Sequence, residues 1–135
     1  MSATETSTIV TGVDFVSVPT ADLQRSVDFY GEKLGLRRSA YRPERNFAEF
    51  ETGTVTLSLV DPVRMGIGSE LKPNVNHVAL RVDDVAAARA ALEGRGVTFL
   101  GDIFDTGVCH MAFFTDPDGN ALMLHHRYAA RAPEA

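Results

Sequence analysis

The stretch Val75–Leu92 restates a phrase the chain has already used 62 residues earlier. At that offset Val75 falls on Val13, His77 on Phe15, Val78 on Val16, Leu80 on Val18, Asp84 on Asp22 and Val85 on Leu23. An internal repeat constrains a fold more than any local propensity, because each copy must be one supersecondary unit that cannot bury its apolar face alone. Each copy here is a strand, a cap and a helix followed by three strands. The expected fold class is α+β, with two tandem βαβββ modules forming a curved, partly closed mixed sheet.

The first copy opens with an alternating, β-branched strand over Gly12–Val18, stopped by Pro19. Thr20 or Asp22 can cap the helix that follows, since a short side-chain oxygen accepts from the free amides of the first turn. Leu23, Val27, Tyr30 and Leu34 recur at helical spacing, and Gly35 closes the helix. Strands are expected at Leu36–Tyr41, Asn46–Glu51 and Val55–Val60. The second copy reads as strand Val75–Val82, a cap at Asp83 or Asp84 and helix Val85–Gly94. Strands then follow at Val97–Leu100, Gly107–Thr115 and Asn120–Arg127. Asp116-Pro117-Asp118-Gly119-Asn120 carries β-turn chemistry, with proline setting one corner and glycine taking the next. The resulting division is a tail at 1–10, module one at 11–60, a connector at 61–74, module two at 75–128 and a tail at 129–135.

A chain of 135 residues buries roughly 68% of its unfolded surface and needs no covalent staple. Its single cysteine, Cys109, rules out an internal disulfide and reads as a small buried hydrophobe. The Ser/Thr-rich opening lacks a basic head and an apolar stretch, and no apolar run approaches the ~18 residues of a membrane span. The expectation is a cytoplasmic protein with no membrane partner. A net charge of −5 argues against a nucleic-acid surface. Arg37, Arg38, Arg42 and Arg45 do bunch; a solvated sheet edge and an anion-capturing patch are the two readings of that cluster.

The two-module plan resembles the vicinal oxygen chelate superfamily, the glyoxalase, bleomycin-resistance and extradiol-dioxygenase group. The residues that carry the likeness are Asp22-Leu23 and Phe29-Tyr30, the opening Asn76-His77-Val78-Ala79-Leu80, and the turn Asp116–Asn120 before an apolar strand. The resemblance spans roughly residues 11–127 and implies a homodimer with a ligand in each cup-shaped sheet. The metal enzymes of the group hold a divalent ion with four inward-facing side chains, and the matching positions here are Phe15, Ser58, His77 and Met123. Only His77 is a good donor; phenylalanine and methionine offer no oxygen or nitrogen, and a neutral serine is weak. No metal cofactor is therefore expected at the usual place.

Glu49 and His125 are further candidates for the cup. His125 shares strand parity with Met123, and Glu49 points to the cup if Ala48 and Phe50 face the helix. A shifted site of His77 with His125 or Glu49 is the alternative arrangement for a metal. His126 alternates with Leu122 and Leu124 and reads as structural, while the direction of His110 is undecided.

Three functions follow from this reading. The first is a metal-independent protein that binds a small organic molecule through Phe15, Ser58, His77, Met123, Glu49 and His125. The second is a divalent-metal-dependent glyoxalase-like lyase, isomerase or dioxygenase with a rearranged metal site, His77 and Glu49 being the catalytic candidates. The third is a structural module whose cup is packed shut.

Overall fold

Asp22 and Asp84 set the frame at equivalent places in the two halves. Asp22 Oδ1 accepts from the Arg25 amide at 3.1 Å, and Asp84 Oδ1 from the Ala87 amide at 3.0 Å. Each cap starts the helix that follows the opening strand of its half. Residues 9–131 are described by the computed structural model; the expected tails lie outside the described residues except for 9–10 and 129–131.

The first half runs β1 (Phe15–Pro19), α1 (Leu23–Asp28), β2 (Arg37–Arg42), β3 (Phe47–Glu51) and β4 (Thr56–Val60). The second runs β5 (Val78–Arg81), α2 (Val85–Gly94), β6 (Phe99–Asp105), β7 (Cys109–Thr115) and β8 (Ala121–Arg127). The strands form two four-stranded mixed sheets in the orders β1-β4-β3-β2 and β5-β8-β7-β6, and each opening strand runs parallel to the closing strand of its half. The repeat is thus real in topology. The sheets remain two separate ladders, neither of them closed on itself.

Side-chain alternation assigns the faces. Val18, Ala48, Phe50, Leu57 and Leu59 of the first sheet are buried with Val27 and Tyr30 of the helical segment. Ala112, Phe114, Leu122 and Leu124 of the second are buried with Val85 and Leu92 of α2. One face of each sheet is therefore covered by its helix. The other is left open.

Several elements differ from the sequence expectation, and β1 is one of them: it starts only at Phe15 instead of Gly12 and includes Pro19. The first helix does not run regularly to Leu34: beyond Asp28 it widens into a π-type turn over Phe29–Lys33, where the Leu34 amide donates to the Phe29 carbonyl at 3.0 Å. Widening brings consecutive side chains closer in direction, so Phe29 and Tyr30 are both buried, edge to face at 5.3 Å. Gly35, at φ +75°, then closes the segment as expected. The expected strand Val75–Val82 shrinks to Val78–Arg81, because β8 begins at Ala121 and pairs only from Leu122 onward. His77 consequently stands just off the ladder. The expected strand ending at Leu100 instead extends to Asp105 through an irregularity between Leu100 and Phe104.

The turn Asp116–Asn120 does more than reverse the chain, and its composition gave no sign of that. Asp116 Oδ1 accepts from the Asp118 and Asn120 amides, both at 2.9 Å, and closes the turn, with Gly119 at φ +89°. Its Oδ2 accepts from Tyr30 Oη and Asn120 Nδ2, both at 2.8 Å. Asn120 Nδ2 also donates to the Pro19 carbonyl at 2.8 Å. Asp118 accepts from the Ala21 amide at 3.0 Å, Arg25 Nη2 at 3.0 Å and Ser26 Oγ at 2.9 Å. The turn of one module thus latches the helix start of the other. Burial, reinforced by the Asp116 carboxylate, holds the Tyr30 phenol far above its ordinary range.

Asp118 gives a test of this latch. Partial burial raises its pKa, but the Ala21 amide, the Thr20 and Ser26 hydroxyls and the Arg25 guanidinium outweigh that and hold the carboxyl below its ordinary range. A carboxyl depressed on folding stabilises the fold above the unfolded value of about 4, and the contribution is lost as pH falls through the native one. Asp118→Asn is therefore expected to lower Tm at pH 7. The gap to the parent protein should narrow as pH drops below about 4. Equal Tm values at pH 7 would show that the latch adds no stability.

Candidate functional site

The open faces of the two sheets hold every candidate named from the sequence. In the first sheet Ser58 stands between Ser17 of β1 and Glu49 of β3 in direct cross-strand register. Ala48 and Phe50 are buried on the helix side, so Glu49 faces away from the helix with Ser58. Phe15 lies on the same face, 53% exposed and opposite Thr56. Ser58 itself is buried.

In the second sheet Met123 stands between Ala79 and Phe113. The His77 ring meets Phe113 edge-on, centroids 4.9 Å apart, which brings His77, Phe113 and Met123 into one group. Met111 and His125 are paired farther along, with Arg81 on the other side of His125. Leu100 pairs with Phe113 and Phe104 with Met111, extending the apolar face to the sheet edge, 57% and 54% exposed. This face of the second sheet is largely apolar. Much of it comes from residues the sequence reading passed over.

A signal for those residues existed. Met111, Phe113 and Phe114 make β7 apolar on both faces, whereas a strand with one wet face alternates. Such a strand has something to cover on each side.

The remaining histidines separate cleanly. His110 pairs with His126, which places both on the helix side, away from Met123. His126 Nδ1 lies 3.1 Å from the Val82 carbonyl, a structural bond. The His110 ring stacks on Tyr128 at 4.8 Å and its Nε2 lies 3.4 Å from Asp105 Oδ2. The Gly107 amide, followed by the Tyr128 hydroxyl, keeps the Asp105 carboxyl below its ordinary range. Cys109 is buried with its sulfur 2.9 Å from Thr106 Oγ1. Among the bunched arginines, Arg38 lies 4.8 Å over the Tyr41 ring and Arg42 donates to the Tyr41 carbonyl, both on the edge strand β2.

The geometry also bears on a metal ion. His77 is level with Ala121, four residues from His125 along the sheet, so their backbones stand about 13 Å apart at ~3.3 Å per residue. Glu49 belongs to the other sheet. Among the described residues no three of His, Cys, Asp and Glu are grouped as a metal site would need. The donor chemistry at Phe15, Ser58, His77 and Met123 does not fit a divalent ion.

Comparison with known proteins places this architecture. The family profile of the Glyoxalase/Bleomycin resistance protein/Dioxygenase superfamily matches residues 12–124, and the chain belongs to that superfamily. The solved structure of TnmS3, an antibiotic binding protein from Streptomyces sp. CB03234, is 30% identical with a TM-score of 0.74. It covers 89% of this chain and 98% of its own. A glyoxalase/bleomycin resistance protein from the same organism is 31% identical at a TM-score of 0.68, covering 85% of this chain and all of that one. Lactoylglutathione lyase of Escherichia coli O157:H7 is 31% identical over 118 residues, 76% of this chain and 83% of the lyase. No helix among the described residues is long and apolar enough to cross a membrane.

Proposed function

We propose that the protein binds a small organic molecule in a cup built from the open sheet faces, by enclosure and stacking and without a metal ion. The observation that carries this reading is the residue set at the four positions where the superfamily's metal enzymes place ligands. Phe15 and Met123 put hydrocarbon and sulfur there, His77 is edge-on to Phe113, and Ser58 is the polar group of the other sheet. Such a surface suits a planar or aliphatic body, with His77, Ser58 and Glu49 supplying hydrogen bonds and His125 at the far end. The likeness to TnmS3, described as an antibiotic binding protein, supports it.

The exposed Phe15, Leu100 and Phe104 are a cost to an isolated chain in water. A second copy laid over the open faces removes that surface and encloses the cup, so the functional unit of this reading is a homodimer. A cytoplasmic location and the absence of a nucleic-acid partner belong to the same reading.

The test is a shift in Tm across a panel of aromatic antibiotics and metabolites, beside size-exclusion chromatography with light scattering. A ligand at about a hundredfold above its Kd stabilises the native state by about 2.7 kcal/mol, a shift of several degrees. His77→Ala is expected to reduce that shift and Met123→Glu to abolish it. A panel without any shift, or a shift indifferent to both substitutions, would remove the cup as the binding site.

The second reading, a lyase or isomerase, draws on the likeness to lactoylglutathione lyase. His77 and Glu49 would be its proton-transfer groups, and stoichiometric divalent metal bound in a His77-dependent way would promote it.

A further inference from the structure

The two halves correspond across the seam between them, and one side of that seam is unfilled. Val16 faces Leu57 and Val78 faces Leu122, so opening strands match at an offset of 62 and closing strands at 65. At 62, Ser26 corresponds to Ala88, Phe29 to Ala91, Tyr30 to Leu92 and Lys33 to Arg95. At 65, Gly53 corresponds to Asp118 and Val55 to Asn120. Lys33 and Arg95 mark the local axis: Lys33 Nζ donates to the Arg95 carbonyl, and Arg95 Nη1 to the Lys33 carbonyl at 2.7 Å.

On one side of this axis the turn Asp116–Asn120 seals α1 by hydrogen bonds from Tyr30, Ser26, Arg25 and Ala21. On the other side its counterpart is Glu51–Val55; the Glu51 carboxylate, which corresponds to Asp116, accepts from the Ser39 and Thr56 hydroxyls instead of reaching α2. Gly53 carries no carboxylate, Ala88 no hydroxyl and Ala91 no ring. A hollow of about 360 Å³ occupies the place of the missing latch. Its walls include Val16, Leu57, Val78, Leu80, Leu92 and Leu124. These belong to the helix-covered sides of the sheets, and none of Phe15, Glu49, Ser58, His77, Met123 and His125 lines it.

The rim has a different chemistry. Thr52 and Thr54 stand at the β3–β4 turn, Arg81 on the edge strand β5 and Arg95 just beyond α2. Among the described residues neither arginine has a carboxylate within 4.0 Å. The hollow is mostly apolar and partly open, and its volume lies within the range of small-molecule sites. Strand alternation sends Arg81 to the face of His125, so the group at the mouth that favours an anion is the Arg95 guanidinium, which holds the Lys33 carbonyl and has no acidic partner among the described residues.

We propose that this hollow is a second binding site, separate from the cup, for a small molecule with an apolar body and one carboxylate. The body replaces the aromatic side chains that fill the equivalent space in the other half. The carboxylate meets Arg95.

Decanoate is the probe, with decanol as its uncharged counterpart, and binding to the full chain is read by calorimetry. The expected result is one decanoate per chain, bound at least about tenfold more tightly than decanol. Ala91→Trp, at an exposed helix position, should weaken decanoate at least about tenfold with Tm unchanged. Arg95→Gln should weaken decanoate about fivefold and leave decanol unaffected. Met123→Glu, in the cup, should leave decanoate binding intact, which keeps the fate of this site apart from that of the cup. Absent decanoate binding, binding that survives Ala91→Trp, or binding lost in Met123→Glu would each overturn the proposal. So would an Arg95→Gln variant that weakens decanol equally, or an Ala91→Trp variant whose one effect is on self-association.

Discussion

Asp116→Ala is expected to cost about 3–5 kcal/mol of folding stability, a large share of the ~5–15 kcal/mol a domain of this size has. The Asp116 carboxylate is buried and accepts four hydrogen bonds, from the amides of Asp118 and Asn120, from Asn120 Nδ2 and from Tyr30 Oη. Removing it leaves the buried donors of Tyr30 and Asn120 and the part-buried Asp118 amide without their acceptor, and leaving buried donors unpaired costs more than the bonds contribute net. Tyr30→Phe removes one donor and leaves the carboxylate three, so about 1–2 kcal/mol is expected. Asp116→Asn presents two hydrogens to an oxygen site approached by Tyr30 and Asn120, and should fall between the two. Urea unfolding of the three variants orders them. A loss below about 1 kcal/mol for Asp116→Ala would mean that the modules are held together by apolar contact alone.

Restoring donors at the four superfamily positions should create a metal site. The variant Phe15→His, Ser58→Glu, Met123→Glu, retaining His77, is expected to bind nickel or zinc at least about a thousandfold more tightly than the parent protein. Two carboxylates and two imidazoles supply lone pairs where a benzene ring, a neutral hydroxyl and a thioether stood. The metal-free variant should be less stable than the parent, because Ser58→Glu brings a charge to a buried position. Added metal should then raise its Tm by binding the folded form alone. Calorimetry with each ion reads both effects. An unchanged affinity would show that the four positions do not converge, and would undercut the cup with them. The four lie on two different sheets, so their convergence also rests on the proposed pairing of two copies.

The charge of the whole chain is a poor guide to either face. A net charge of −5 suggests weak preference for neutral or cationic ligands, yet the far end of the second sheet carries Arg81 paired with His125. Glu49 and Glu51 lie on β3 of the first sheet. Local placement decides which sign a ligand meets, because screening limits the reach of distant exposed charges to about 8–10 Å.

The backbone plan was written in local signals. The 62-residue repeat, the caps Asp22 and Asp84, the stop at Gly35 and the strand alternation that turned Glu49 away from Ala48 and Phe50 each depend on neighbours a few residues away. Local chemistry is what a sequence displays, and the donor poverty of Phe15, Ser58 and Met123 is a matter of residue type alone. Tertiary structure decided the rest. The turn Asp116–Asn120 has the same composition whether it stands free or grips Tyr30, Ser26 and Pro19, residues 86 to 101 positions away. His110 could have faced either side until β7 took its register against β8. The hollow beside α2 is lined by Ala88 and Ala91 from the helix and by Thr52, Thr54 and Val55 from the turn across the seam, and none of them individually marks a cavity. Contacts between distant segments are fixed by how two modules dock, and a docking geometry leaves no periodicity in the chain that produces it.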